Sequence, residues 1–148
     1  MYHILLVAHN LLRWAVLLAG LLAFARAMRG ALSNIAWSSD DRRTASIFTG
    51  TVHLQFLVGI VLYAVSPLTR SAMANMGEAM RDPATRQIVV EHPVLMLIAV
   101  ALASAAGPVA RRGTTDVAKF RRLALFVGLT LVAILAAIPW ARPLVRGL

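Results

Sequence analysis

Residues 4–25 read ILLVAHNLLRWAVLLAGLLAFA. An α-helix needs ~20 apolar residues to cross ~30 Å of hydrocarbon, and this stretch supplies them. Backbone N–H and C=O groups in lipid must pair within their own segment, so a run of this kind is read as a helix. It is not uniformly apolar, however: His9 and Arg13 lie inside it. The stretch could pass for a secretory leader, but it lacks a basic start and carries two ionisable residues where a leader is apolar. It is read as a retained span.

Three further runs follow: 45–65, closed by Ser66-Pro67; 88–107, closed by Gly107-Pro108; and 123–140. The connections are short, which predicts an all-α, up-down antiparallel four-helix transmembrane bundle forming one domain over 1–148. A membrane β-barrel would show alternating ten-residue segments, and the sequence has none.

Composition agrees. The 148 residues are 59% hydrophobic and 14% charged, with a mean hydropathy of +0.75. Soluble domains run nearer half apolar and a quarter charged. Cysteine is absent, which excludes disulfides, thiolate metal sites and covalently attached c-type haem. The net charge is +9, and the arginines flank apolar runs, so the expected partner is anionic lipid rather than nucleic acid. Arg26, Arg29, Arg42 and Arg43 precede span two. Arg111, Arg112, Lys119, Arg121 and Arg122 precede span four. Those nine oppose five on the other side, Arg70, Arg81, Arg86, Arg142 and Arg146. The positive-inside rule then puts both termini outside the cell membrane, on the periplasmic side in a bacterium. Tyr2, Trp37 and Trp140 suit the interfacial belts.

The polar residues at membrane depth carry the functional reading, because ionisable groups in hydrocarbon are costly and serve sites or pairs. His9 and Arg13 are four apart and share a face with Gly20, which directs that face into the bundle. Arg13 either snorkels to a structural partner or binds a carboxylate, a haem propionate or a quinone carbonyl. On span two His53 shares a face with Ser46, Thr49 and Gly50, whereas Gln55 shares another with Gly59 and Tyr63. At 100° per residue these faces are roughly 200° apart, so they cannot serve one small site. One of them is expected to meet a neighbouring helix or another subunit, and a purely structural, hydrogen-bonded His53 is an equal alternative.

On span three, Glu91-His92-Pro93 is expected to open the helix, with His92 near its N-cap. The helix dipole there disfavours imidazolium and leaves the neutral form that ligates metals. Met96, Ala99, Ala103 and Ala106 follow at helical spacing, a stripe that either packs a neighbour closely or leaves room for a flat prosthetic group. Glu91 is expected to pair with Arg13 or with an outer arginine. Span four has no ionisable residue inside it, and Gly128, Ala133, Ala136 and Ala137 suit close packing. Residues 71–81 are predicted as a short helix on the membrane surface with Met73, Met76 and Met80 on one face; a Cu(I) site is the alternative, since thioether sulfur suits that ion.

His9 and His92 lie at similar depths on spans that run in the same direction. Two histidines so placed are what axial ligation of a b-type haem requires. His9 with His53 is a second possible pair, and the three histidines with Glu91 could instead hold a metal ion.

The chain resembles a family of small four-helix bacterial integral membrane proteins, sometimes labelled cytochrome b-like. The resemblance rests on His9 with Leu12-Arg13-Trp14 and on His53-Leu54-Gln55 with Gly59, Tyr63 and Ser66-Pro67. It continues through Glu91-His92-Pro93 with Met96, and through Ile138-Pro139-Trp140. It implies a multi-pass protein of the bacterial inner membrane with haem and electron transfer.

Three functions follow as expectations. The first is an electron-transfer protein binding haem b, quinone or both through His9, His92, His53 and Arg13, supported by Glu91, Gln55, Trp14 and Met96. The second is a cofactor-free accessory subunit of a larger membrane complex or homo-oligomer. The third is a metal or proton transporter. No nucleophile-base-orienter set is visible, so any enzymatic role would be as a redox component.

Overall fold

A computed structural model describes residues 1–140. Arg142 and Arg146, counted above in the charge balance, lie outside the described residues. Among the described residues the secondary structure is entirely helical. Four stretches are long and apolar enough to cross a membrane: 2–33, 39–65, 83–111 and 116–137.

Helix α1 is Tyr2–Ser33 and ends on Asn34 in the left-handed region, φ 49°, which asparagine tolerates. Helix α2 is Ser39–Val65. It starts with a reciprocal capping box: the Asp41 N–H donates to the Ser38 hydroxyl (3.3 Å) and the Ser38 N–H donates to the Asp41 carboxylate (2.9 Å). Arg26 of α1 donates to the same carboxylate at 2.9 Å, so one buried acid ties the α1–α2 turn together. Helix α7, Asp116–Ala137, is capped by Thr115, whose hydroxyl accepts from the Ala118 N–H.

Neighbouring helices pair in the order α1, α2, α6, α7 and back to α1, where α6 is His92–Arg111. The pairing is antiparallel throughout. Arg26 meets Asp41 and His9 lies by Gly59; Thr49 meets Ala103; His92 meets Ala137; Gly20 faces Leu131. Helices α1 and α6 are therefore diagonal across the bundle. The core is small-residue-rich. Ala99, Ala103, Ala106 and Ala110 of α6 are at most 1% exposed and pack with Ala23, Ala27, Phe48, Val52, Leu123 and Val127. The alanine stripe below His92 is thus taken up by helix packing, and the open space near His92 lies on the other side of Met96, toward α1 and α2. Of the small residues on α7, Ala133 and Ala137 are buried, whereas Ala136 is exposed. Large apolar side chains point outward along all four long helices, among them Leu18, Leu22, Leu57, Ile98 and Val132. Lipid-facing surfaces have that character.

The structure corrects three element boundaries. The single helix expected over 71–81 is two, α3 (Pro67–Ala74) and α4 (Met76–Arg81), broken at Asn75 with φ −140° and ψ 68°. Met73, Met76 and Met80 are exposed on these pieces. His92 is not at a helix start. A short helix α5, Pro83–Arg86, leads through a π-turn, Gln87–Glu91, directly into α6. The His92 N–H reaches back to the Gln87 carbonyl, five residues away, so the argument from a helix N-terminus does not apply to this imidazole. Finally, α7 stops at Ala137, and Trp140 folds back to donate its indole N–H to the Leu135 carbonyl at 2.9 Å.

The connection α3–α5 closes the arginine-poor end. Ser66 caps α3 by accepting from the Thr69 N–H, with Pro67 in the first turn. The Asp82 carboxyl caps α5. Hydrogen bonds from Thr85 hold it below the usual carboxylate range. Trp37, expected at an interface, packs edge-to-face on buried Phe120 at 4.8 Å.

Candidate functional site: a cavity between two diagonal histidines

Helices α2 and α6 touch less extensively than the other neighbouring pairs. Toward the arginine-poor end the bundle holds a partly open cavity of about 460 Å³. All four long helices contribute: His9, Asn10 and Arg13 from α1; Gln55, Gly59 and Tyr63 from α2; His92 and Met96 from α6; Ile134 from α7, with Ile138 just beyond it. The remaining wall is mainly aliphatic and aromatic, including Val16, Val52, Phe56 and Ile60. An apolar cleft of this size with a few converging polar groups is the ordinary form of a small-molecule or cofactor site.

His9 and His92 face each other across it. Their ring centroids are 6.2 Å apart and their planes make 70°. Each imidazole is positioned by a different device. The His92 Nδ1 lies 2.9 Å from the Ala137 carbonyl. A carbonyl only accepts, so Nδ1 carries the proton and, in the neutral ring, Nε2 holds the lone pair. A backbone carbonyl on the far ring nitrogen is the usual orienting partner of a metal-bound histidine. His9 is set by close approach of α2. A Cβ on Gly59 would stand 3.2 Å from His9 Cε1 and 3.6 Å from Nδ1, so the glycine leaves the ring its place without a shift. Gln55, itself buried, donates its amide to the His9 main-chain carbonyl at 3.0 Å and so pins α1 to α2 at this level.

Two buried polar atoms of this cavity, His9 Nδ1 and Gln55 Oε1, have no hydrogen-bond partner among the described residues. An unsatisfied buried polar group costs about 1–3 kcal/mol, and such groups in native proteins call for a reason. The Arg13 guanidinium, one turn from His9, lies 5.6 Å from the Trp14 ring centroid, and Arg13 also lines the cavity. Trp14 is 41% exposed and is not among the residues that line the cavity.

Tyr63 donates its hydroxyl to the Val89 carbonyl at 2.8 Å. Val89 precedes Pro93 by four residues, and a proline has no N–H to give that carbonyl. The tyrosine thus supports the π-turn that delivers His92 to the cavity.

His53 and Glu91 do not join this group. His53 lies in a second cavity nearer the arginine-rich end, with Nδ1 2.7 Å from the Thr49 carbonyl and Nε2 3.1 Å from Ser104 Oγ. The pairing of His9 with His53 is therefore not formed. Glu91 is exposed and pairs with Arg86 at 2.8 Å, an outer arginine as expected. No cluster of three or more histidine, aspartate or glutamate side chains suited to a metal ion occurs among the described residues. Asn10 and the buried Ser66 and Thr69 were missed as wall residues. A lone asparagine beside His9 in an apolar run was the signal available.

The fold and the cavity define a class: an all-helical bundle of four helices long and apolar enough to cross a membrane, with a diagonal histidine pair at an apolar cavity. Comparison of the chain with family models, with curated proteins and with solved structures finds no match.

Proposed function

We propose that the protein is a multi-pass bundle of the bacterial inner membrane that binds b-type haem between His9 and His92 and serves electron transfer. One observation carries this reading: two imidazoles from diagonal helices face each other at 6.2 Å inside an apolar cavity. Two imidazoles that held one metal through bonds of roughly 2 Å would have ring centroids roughly 6 Å apart, which is the spacing of this pair.

The residues present fit the group. His92 is oriented through its Nδ1 for ligation at Nε2, and the Gly59 gap admits His9. Arg13 offers a counter-charge to a propionate, and the largely apolar wall suits a flat apolar ring. When bound, haem would supply reversible one-electron chemistry, with His9 and His92 as the residues that would hold it. The chain's own part is to hold the two rings, present an apolar wall and neutralise a carboxylate at Arg13.

A second reading is favoured by the orphan polar atoms. A quinone carbonyl could accept from His9 Nδ1 in its N–H tautomer, near Arg13, with the ring against Phe56 and Ile60. The absorbance spectrum of the purified protein, oxidised and then reduced, separates the readings. A Soret band that sharpens on reduction, and is lost in both His9→Ala and His92→Ala but kept in His53→Ala, is the expected result. A colourless preparation that retains extractable quinone favours the second reading. A colourless, quinone-free preparation that co-purifies with larger subunits overturns both.

A further inference from the structure

The second cavity, about 320 Å³, lies in the groove between α2 and α6 at the arginine-rich end. Arg42, in the first turn of α2, and Arg111, the last residue of α6, are at its mouth; His53 and Ser104 line it deeper in. From Arg42 to His53 is roughly 16 Å along the helix at ~1.5 Å per residue. No carboxylate lines the groove. The ion pairs among the described residues are Arg26–Asp41, Arg86–Glu91 and Lys119–Asp116, so Arg42 and Arg111 have no acidic partner there. The carboxylate next to Arg42 in sequence, Asp41, is taken by Arg26 and Ser38. A Cβ on Gly107 would stand 3.4 Å from Arg111 Nη1, so that guanidinium turns back along α6 over the groove instead of extending away from it. Gly50 keeps the opposite wall open, since a Cβ there would meet nothing within 4 Å.

Ile47 and Leu54 lie one turn either side of Gly50 on α2 and are about half exposed, at 52% and 49%. The groove thus has two unpaired guanidinium groups at its mouth, hydroxyls and an imidazole within, and an apolar flank beside it. We infer that it is a binding site for the phosphate of an anionic glycerophospholipid, whose acyl chains lie along the Ile47–Leu54 face. Guanidinium groups suit phosphate through paired N–H donors, and basic pockets between spans on the cytoplasmic side are where such headgroups bind. The apolar flank favours a lipid over free phosphate, which would have no use for it. This inference rests on the bilayer placement proposed above and not on the haem.

The test is thermal unfolding of the purified full chain in detergent, with added phosphatidylglycerol, phosphatidylcholine or inorganic phosphate. Phosphatidylglycerol should raise the Tm and phosphatidylcholine should not. The rise should vanish in the double variant Arg42→Gln/Arg111→Gln. It should persist in Arg121→Gln/Arg122→Gln, which removes the same charge from exposed positions outside the groove. Gly50→Leu, which keeps both arginines and fills the groove, should also abolish the rise, and it decides the matter if the double variant fails to fold. Equal responses to the two lipids, or equal loss in both double variants, overturns the site. An equal rise with inorganic phosphate alone overturns the lipid assignment. Recovery of the protein in the membrane fraction reports the bilayer placement separately. The absorbance spectrum should be unchanged in these variants, because none of the substituted residues lines the His9–His92 cavity.

Discussion

The Tyr63 hydroxyl donates to the Val89 carbonyl, the acceptor that a regular α-helix would assign to the N–H of residue 93. Proline occupies that position, and the helix passes through a π-turn immediately before it. Tyr63→Phe should therefore destabilise the protein by about 0.5–1.5 kcal/mol, the net value of one hydrogen bond. The cost should shrink in a Pro93→Ala background, where an N–H is restored. A double-mutant cycle on thermal unfolding in detergent measures the coupling; additive costs would show that the two residues are unconnected.

Gly20 lies where α1 crosses both α2 and α7 at close range. A Cβ there would come within 2.6 Å of Leu131 Cδ2 and 2.8 Å of Phe48 Cε2, and Phe48 is fully buried. Gly20→Leu should cost about 1–3 kcal/mol through overpacking. Gly50→Leu on α2, with open space around it, should cost nothing and gain helix propensity. Comparable losses for the two would contradict the packing.

Asp41 organises the α1–α2 turn for three donors: the Ser38 N–H, the Ser38 hydroxyl and Arg26. Asp41→Ala should cost about 0.5–2 kcal/mol, since it removes the capping partner of Ser38 and the buried acceptor of three hydrogen bonds. Arg26 is about half exposed, so Arg26→Gln should cost less than about 1 kcal/mol. Urea midpoints for the two variants give the ranking, and the reverse order would locate the stability in the ion pair.

The sequence made the four long apolar helices legible because hydropathy and length mark them whatever the packing. The separation of His53 from Gln55 was legible too, since 100° per residue puts them on opposite faces, and the structure gives each its own cavity. The π-turn was not. Proline reads equally well as a helix start, and only the Tyr63 side chain from another helix shows that α6 continues backward through it. The alanine stripe on α6 was ambiguous for a related reason: small residues suit both a packed helix and a cofactor slot, and only the partner surface of α7 decides. Depth suggested His9 with His92 but left His9 with His53 open, and the support from Gly59 and Ala137 depends on helix rotations that periodicity does not fix.

Gly59 separates the fold from the proposed cofactor more cleanly than the histidines do. Replacing a glycine within a helix by alanine gains about 1 kcal/mol of helix propensity. A methyl at this position would press on His9 Cε1 at 3.2 Å, and the ring would have to shift by a few tenths of an ångström. Gly59→Ala should therefore raise the unfolding temperature of cofactor-free protein while lowering its retention of haem on reconstitution. Gly50→Ala should give the same gain in stability with haem retention unchanged, because a Cβ there touches nothing. Opposite signs for stability and loading at Gly59, against matching stability and unaltered loading at Gly50, are what a His9-ligated cofactor requires. Unaltered loading in both would remove His9 from the ligand pair and leave the orphan Nδ1 to a hydrogen-bonded ligand such as quinone.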